Sequence, residues 1–305
     1  IGPGDEVIVT PRSFMASVSC VALRGAVPVF ADIDLVSQNV TLEGIRKAVT
    51  EKTKAVIAVH LAGWPCELTE IRLFCDEHGI ILIEDCAQSH GAEYNGKKAG
   101  SFGHCSAFSF CQDKIMTTGG EGGMLLTSDR RIWERAWSYK DHGKNYETVF
   151  KTDHPPGFRW FIETFGTNYR MTEMQAAMGR VMLRKLDAWG DRRRYFAEKM
   201  NHAFGQTSGL RVTIPPNHVK HAYYKYYVFV EPELLQPSVT ANDIIKELIS
   251  LGIPCVSGSC PEVYREKAFE TYPYRLVPLN KDENKTGRSR CLPNARVLGK
   301  TSMMF

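Results

Sequence analysis

The first 126 residues alternate between short apolar runs and segments with helical spacing, which constrains the fold more than any other feature. Helices are predicted at residues 13–24, 42–49 and 68–78. Strands are predicted at residues 6–9, 27–30, 55–59, 80–83, 107–110 and 122–126. This order predicts an α/β fold whose mostly parallel sheet is covered on both faces. Because ligands of such sheets collect beyond the carboxyl ends of the strands, we expect a functional site there.

The pattern changes near Trp189. Residues 221–230 (HAYYKYYVFV) predict an aromatic strand, and residues 240–251 predict a helix. We therefore predict a large domain over residues 1–189 and a smaller C-terminal α/β domain over residues 190–305. The chain opens directly into a strand and ends without a polar tail, so we expect further sequence at both ends.

Two helix starts carry capping signals. Thr172 and Gln175 have the spacing of a capping box, and Thr240 or Asn242 can cap the later helix, which Gly252 ends. Behind Thr172 an apolar stripe at helical spacing is typical of a core or a subunit interface: Met174, Ala177, Met178, Val181, Met182, Leu186.

Composition excludes several classes of function. The net charge of +4, from 38 basic and 34 acidic residues, is too small and scattered to indicate nucleic-acid binding. We find no apolar run of the ~18 residues that a membrane span needs. Nine cysteines without regular spacing indicate a reducing compartment, hence the cytoplasm. Cys75 with His78, and Cys86 with His90, have helical spacing but lack a second ligand pair, so we predict no metal.

The segment SAFSFCQDKIMTTGGEGGM carries the strongest chemical signal. It places Lys114 in a glycine-rich loop after a predicted strand, downstream of Asp85, which follows the strand IILIE. Pyridoxal phosphate (PLP) needs an amine that bonds to its aldehyde, a carboxylate for its ring nitrogen, and hydroxyl or N–H groups for its phosphate. Lys114, Asp85 and Ser109 would meet these needs. Alone, a loop lysine is usually a solvated surface residue, and Asp85 can equally cap the following turn.

Two more residues fit the same cofactor. Gln88 can reach the phenolic oxygen of the ring, and Phe14 can stack on the ring, although each is common on a surface or in a core. The glycines of TTGGEGG are followed by neither the Lys-Ser/Thr of a Walker loop nor a G-x-G-x-x-G helix start, which disfavours a nucleotide-hydrolysing or NAD-binding module.

Five ordered motifs give the chain a family resemblance: GDEVIV with GAVPVFADID, HLAGWPCELTEI, EDCAQSHGAEYNGKKAGSFG, AFSF…K…TTGGEGG and GTNYRMTEMQAA. Together they resemble the DegT/StrS family of PLP-dependent sugar aminotransferases, closely to about Leu186 and more loosely beyond. The resemblance implies a fold-type-I enzyme that moves an amino group, usually from glutamate, to a nucleotide-linked keto-sugar for surface polysaccharides or secondary metabolites. It also implies a homodimer with a shared active site.

By the same resemblance, Lys114 bonds to PLP, Asp85 holds the pyridinium, Gln88 lies near the phenolic oxygen, Ser109 binds phosphate and Phe14 stacks on the ring. Further along the chain, the resemblance implies that Asn168 reaches the phosphate of the neighbouring subunit. It places His221 and Tyr223 near the sugar or its nucleotide.

The chain departs from the family pattern at the lysine, where many members read HPTKN and this sequence reads CQDKI. The family's leading segment, which also binds the phosphate, is absent from these 305 residues, so we expect them to bind PLP poorly on their own. Some members are sugar dehydratases with histidine in place of the lysine, so Lys114 favours aminotransfer. The remaining alternative is a PLP-fold protein that binds a sugar nucleotide without turnover.

Overall fold

A computed structural model describes residues 1–153, 156–157, 159–279 and 291–305. In this part of the chain, thirteen strands are present: β1 Glu6–Val9, β2 Val27–Ala31, β3 Thr53–Val59, β4 Ile81–Asp85, β5 Glu93–Tyr94, β6 Lys97–Lys98, β7 Cys105–Ser109, β8 Gly123–Leu126, β9 Leu210–Val212, β10 Val219–Lys220, β11 Tyr227–Val230, β12 Arg275–Val277 and β13 Ser302–Met304.

The helices within the same residues are α1 Ala16–Leu23, α2 Leu42–Ala48, α3 Leu68–Glu77, α4 Arg130–Lys140, α5 Tyr146–Lys151, α6 Glu173–Leu183, α7 Leu186–Gly205, α8 Ala241–Ser250 and α9 Pro293–Thr301. Each of the first three connects two parallel strands, as the alternating sequence pattern predicts. The longest, α7, crosses the predicted domain boundary at Trp189. Among the described residues we find no helix with the length and apolarity to cross a membrane.

The central sheet has the strand order β12-β2-β1-β3-β4-β7-β8. Its neighbouring pairs are parallel except for β7 with β8, which are antiparallel. All four residues of β1 are buried, so side chains cover both faces of the sheet at its centre. Because β3, β4 and β7 are parallel neighbours, their carboxyl ends meet at one edge, where the predicted site residues follow.

The C-terminal part of the chain contributes to two cores. In β11, Tyr227 and Phe229 join the core of the large sheet, while Val228 and Val230 join a second core with α7 and α8. This alternation is the two-residue period of a strand whose opposite faces are both buried. Strand β12 joins the central sheet itself. The division into residues 1–189 and 190–305 stays a prediction.

One predicted strand is mostly wrong. Of residues 221–230, only Tyr227–Val230 is a strand. The preceding segment turns at Tyr223, whose φ is 48°, and bonds to a 3-10 turn at Leu61–Gly63 instead of to a strand. Aromatic composition predicts a strand there because it carries no information about these long-range backbone contacts.

The capping predictions are confirmed. Thr172 and Gln175 form a reciprocal capping box at the start of α6, and Thr240 caps α8 with Asp243 in the same arrangement. The apolar stripe behind Thr172 is not core in this chain, because Met174 is 81% exposed and Met178 and Val181 are also exposed.

Candidate active site

Asp85 ends β4 at the edge where the parallel strands terminate, in register with Ala107 of β7. Its Oδ2 accepts a hydrogen bond of 2.7 Å from the Ser17 hydroxyl of α1, and its Oδ1 accepts one of 3.0 Å from the Ala87 N–H. The Ser17 hydroxyl also lies 2.7 Å from the Ser13 hydroxyl. A hydrogen-bond donor on each oxygen fixes the orientation of the carboxylate.

Ser109 ends the adjacent strand β7 and begins the lysine loop. Its hydroxyl oxygen accepts a hydrogen bond from the Cys111 N–H at 3.3 Å, and the Cys111 carbonyl accepts one from the Lys114 N–H at 3.1 Å. The Lys114 side chain is only 15% exposed. Its Nζ lies 3.3 Å from the Tyr224 hydroxyl and 3.5 Å from Oδ1 of Asp113.

Gln88 connects the edge of the sheet to the segment that contains Tyr224. Its Oε1 accepts a hydrogen bond of 2.6 Å from the Ala62 N–H, while the Ala62 carbonyl accepts one of 2.8 Å from the Tyr224 N–H. In the described part of the chain nothing bonds to the Nε2 of Gln88, which leaves an N–H donor for a ligand.

Hydrogen bonds through intermediate residues connect three of the predicted residues, and strand pairing places the fourth, Asp85, on the neighbouring strand. Gln88 reaches Lys114 through Ala62 and Tyr224, and Lys114 reaches Ser109 through Cys111. Strand β7, which Ser109 ends, pairs with β4, which Asp85 ends. A carboxylate, an amine, a hydroxyl and a free amide donor thus come from the segments that adjoin the carboxyl ends of β4 and β7.

Two further predicted residues, Phe14 and Asn168, are exposed at the surface of the chain. Phe14, just before α1, is 72% exposed, so its ring is available for stacking. Asn168 is exposed and its Oδ1 accepts a hydrogen bond from the Arg170 N–H at 3.3 Å. The described contacts do not connect Asn168 with Lys114 or Asp85.

His221 and Tyr223 pack against each other. Their rings stack with centroids 4.0 Å apart, and Nδ1 of His221 accepts a hydrogen bond of 2.7 Å from the Tyr223 N–H. Burial lowers the pKa of His221 to about 3, so this imidazole is neutral near pH 7. Both residues shape the turn that brings the next residue, Tyr224, to Lys114.

His60, Glu84 and Cys86 form a buried cluster of potential metal ligands. His60 Nε2 lies 3.0 Å from Oε2 of Glu84, and His60 Nδ1 accepts a hydrogen bond of 3.2 Å from the Cys66 N–H. The two Glu84 oxygens also accept hydrogen bonds from three backbone N–H groups, those of residues 100, 102 and 103. Hydrogen bonds thus occupy both ring nitrogens and both carboxylate oxygens, which favours a structural network over a metal centre.

The chain matches the DegT/DnrJ/EryC1/StrS aminotransferase family over residues 1–294. It belongs to this family. The match confirms the family predicted from the five motifs.

Individual relatives agree with the family match. The chain is 36% identical over 235 residues to a GDP-perosamine synthase of Vibrio cholerae, covering 76% of this chain and 60% of that protein. A solved aminotransferase of Psychrobacter cryohalolentis is 48% identical with a TM-score of 0.90, covering 100% of this chain and 76% of that one. The curated relatives that it matches are longer than this sequence, which spans 62%, 59% and 60% of three of them.

A dehydratase also shares the structure. The E. coli GDP-4-keto-6-deoxy-D-mannose-3-dehydratase with bound hydrated PLP is 26% identical with a TM-score of 0.86, covering 100% of this chain and 76% of that one. Together with the aminotransferase structure, this confirms the predicted fold class, an α/β PLP-transferase fold with a mostly parallel sheet.

The sequence did not predict three residues that contact the predicted site residues of this chain. Ser17 orients Asp85, while Asp113 and Tyr224 contact the lysine amine. The Ser13–Ser17 spacing within the predicted helix at residues 13–24 was a usable signal for Ser17. Tyr224 had no such signal, because it stands 110 residues from Lys114 in the chain.

The residues present fit PLP. Asp85 is an oriented carboxylate, Lys114 is a shielded amine, Ser109 is a strand-end hydroxyl and Gln88 keeps an unused amide donor. These are the groups that the ring nitrogen, aldehyde, phosphate and phenolic oxygen of the cofactor require.

Proposed function

We propose that the protein is a PLP-dependent aminotransferase that moves an amino group from an amino acid to a nucleotide-linked keto-sugar. The observation that carries this proposal is the series of hydrogen bonds that connects Gln88, Lys114 and Ser109, together with Asp85 at the end of the neighbouring strand. The GDP-perosamine synthase relative supports a nucleotide-linked sugar as substrate. L-Glutamate as donor rests on the family resemblance.

The cofactor, when bound, supplies an aldehyde that exchanges amines and a ring that accepts electrons from the substrate carbon. Asp85 would pair with the ring nitrogen and keep it protonated, with Ser17 holding the carboxylate in place. Gln88 would donate a hydrogen bond from its Nε2 to the phenolic oxygen, and Ser109 would bind the phosphate. The exposed ring of Phe14 would stack on one face of the cofactor ring.

Lys114 carries the proton chemistry. When its amine is not bonded to the cofactor, Lys114 would take a proton from one carbon and return it to another as a general base and acid. Because its side chain is 15% exposed, this proton transfer would take place in a site that is largely shielded from water.

We also propose that the active protein is a homodimer with shared active sites. The exposed apolar residues of α6 and β8 support a subunit interface there: Met124, Leu125, Leu126, Met174, Met178, Val181, Leu183. Across such an interface the exposed Asn168 would reach the phosphate in the partner's site. His221 and Tyr223 would contribute to the sugar-nucleotide side through the turn that they shape.

A cytoplasmic location fits the buried thiols of Cys66, Cys75 and Cys86, which form no disulfide. Burial raises the pKa of each thiol and keeps it protonated. Such thiols persist in a reducing compartment. The pathway that we propose is synthesis of surface polysaccharide or secondary-metabolite sugars, as in the spore coat polysaccharide biosynthesis relative of Bacillus subtilis.

The test is a reaction of the protein with PLP, L-glutamate and nucleotide-linked 4-keto and 3-keto sugars, with products identified by mass spectrometry. We expect an amino-sugar nucleotide together with 2-oxoglutarate, and neither product from Lys114→Ala. Loss of a sugar hydroxyl without amine incorporation would instead identify a dehydratase. Unchanged loss of the hydroxyl in Lys114→His would identify a dehydratase as well.

A further inference from the structure

Asp113 and Tyr224 surround the amine of Lys114 on the side away from the strand ends. The Tyr224 hydroxyl donates a short hydrogen bond to Oδ2 of Asp113 and accepts one from Lys114 Nζ at 3.3 Å. The same Nζ lies 3.5 Å from Oδ1 of Asp113 and 4.9 Å from the centre of the Tyr224 ring. The amine therefore meets an anion, an oxygen lone pair and an aromatic face, the three groups that stabilise an ammonium ion.

Tyr224 is held in this position by contacts of its own. It is 8% exposed, and its N–H donates to the Ala62 carbonyl at 2.8 Å. Arg193 of α7 donates to the carbonyls of Tyr223 and Tyr224, at 3.0 and 3.4 Å. The phenol is thus positioned by the rest of the fold and does not depend on Lys114 for its place.

The pair does not form a proton relay near pH 7. Burial raises the pKa of Tyr224, so its phenol stays protonated. The hydrogen bond from Tyr224 lowers the pKa of Asp113, which stays ionised. These two pKa shifts leave the proton on Tyr224 and the negative charge on Asp113, so the pair can bind a cation without exchanging a proton with it.

We propose that Asp113 and Tyr224 form a holding site for the amine of Lys114 before it bonds to the cofactor. The two are positioning residues for aminotransfer, and this inference rests on the function proposed above. The ion pair with Asp113 and the hydrogen bond to Tyr224 stabilise the unbonded lysine side chain, and both are lost when the amine bonds to PLP. The holding site therefore opposes cofactor capture.

This role predicts that removing a residue of the holding site makes PLP binding tighter. Asp113→Asn removes the anion but keeps the shape of the side chain, which is 51% exposed, so the fold should tolerate it. We expect the PLP-free protein to bind PLP roughly three- to tenfold more tightly, because its unbound lysine loses a stabilising partner. Tyr224→Phe should act in the same direction with a smaller effect.

Two controls separate this role from simpler ones. Glu121→Gln removes a negative charge from the same loop, and the Glu121 side chain makes no described contact with Lys114. This variant therefore measures how much a loop charge weakens PLP binding by repelling the phosphate. Tyr195→Phe removes an exposed phenol on α7. Other charged or titratable groups around the pair are unchanged in every variant: His90, Cys111, Arg193, Lys225.

The measurement is titration of the PLP-free whole protein with PLP across pH 6 to 9, followed by borohydride reduction and peptide mass spectrometry of Lys114. Tighter PLP binding by Asp113→Asn, exceeding that of Glu121→Gln, supports the holding site. Weaker binding, unchanged binding, or equal effects in Glu121→Gln overturn it. If the parent protein traps no cofactor on Lys114, the proposed function itself fails.

Discussion

Single side chains set the orientation of the proposed cofactor contacts. Asp85 receives two hydrogen bonds, and only the one from Ser17 comes from a side chain on another element. The residue types Lys114, Asp85, Gln88 and Ser109 could be chosen from the sequence because PLP chemistry needs those groups. The residues that hold them could not, since Ser17 and Tyr224 act across 68 and 110 positions in the chain.

Ser17→Ala should weaken PLP binding about three- to tenfold, because losing one hydrogen bond that orients Asp85 costs roughly 1 kcal/mol. Equilibrium titration with PLP measures this. Ser19→Ala on the same helix is the matched control, since within the described residues that exposed hydroxyl donates one hydrogen bond, to the Ala16 carbonyl at 3.5 Å. Equal affinity of the Ser17→Ala and Ser19→Ala proteins for PLP would show that Ser17 has no part in cofactor binding.

His90 should make the fold sensitive to acid. It packs against Phe108 and Phe110 at 5% exposure, and burial lowers its pKa to about 4 from the ordinary value of 6.5. The unfolded chain therefore binds this proton first, so the stabilisation is complete above pH 6.5 and is lost as pH falls toward 4. The shift corresponds to about 2 kcal/mol of unfolding free energy lost between pH 8 and pH 5.

Urea unfolding of His90→Leu at those two pH values tests this prediction. The variant should lose less stability on acidification than the parent protein, by about 2 kcal/mol. His202→Gln replaces an exposed histidine and serves as the control. Equal acid losses in the parent and in His90→Leu would show that His90 does not titrate with folding.

At the scale of elements, hydrophobic periodicity located the early strands and helices to within a few residues. For example, residues 42–49 were predicted as a helix, and α2 is Leu42–Ala48. The same signal failed for residues 221–226, because their conformation comes from backbone bonds to the Leu61–Gly63 turn. Local patterns report which face is apolar, and they do not report which distant backbone a segment meets.

Gly63 in that turn should not tolerate a side chain. Its φ is 97°, and a Cβ there would lie 2.8 Å from the Ala222 Cβ and 2.9 Å from the Gln88 carbonyl oxygen. Gly63→Ala should lower the free energy of unfolding by about 2–4 kcal/mol and weaken PLP binding, because the turn holds both Gln88 and Tyr224.

Gly79→Ala separates strain from collision, since Gly79 has a φ of 64° and no atom within 4 Å of its added Cβ. We expect it to cost only about 1 kcal/mol and to leave PLP affinity unchanged. Both variants can be compared by urea unfolding and PLP titration. Matching losses of stability would mean that backbone strain alone, not the packing of this turn, explains the effect at Gly63.

At the scale of the whole molecule, the sequence predicted a parallel sheet and a C-terminal change of character. It did not predict that β12 would return to the edge of the central sheet, or that β11 would contribute to two cores. Strand order depends on pairing between segments hundreds of residues apart, as between β2 and β12, and no local pattern encodes it.

The exposed apolar face of α6 should mediate self-association. Met174→Glu with Met178→Glu places two charges where a partner subunit would bury apolar surface, so the dimer should dissociate to monomers. Size-exclusion chromatography with light scattering measures the mass. Leu251→Glu, at an exposed position at the end of α8, should leave the dimer intact. A parent protein that is monomeric at micromolar concentration would contradict the proposed homodimer.

The most direct test of the proposed function is an absorbance spectrum of the protein reconstituted with PLP, before and after addition of L-glutamate. We expect a visible band from lysine-bound PLP that glutamate converts to the near-ultraviolet band of the pyridoxamine form, with neither change in Lys114→Ala. A folded protein that shows no visible band, or shows one that Lys114→Ala retains, would contradict the assignment of Lys114 as the cofactor lysine.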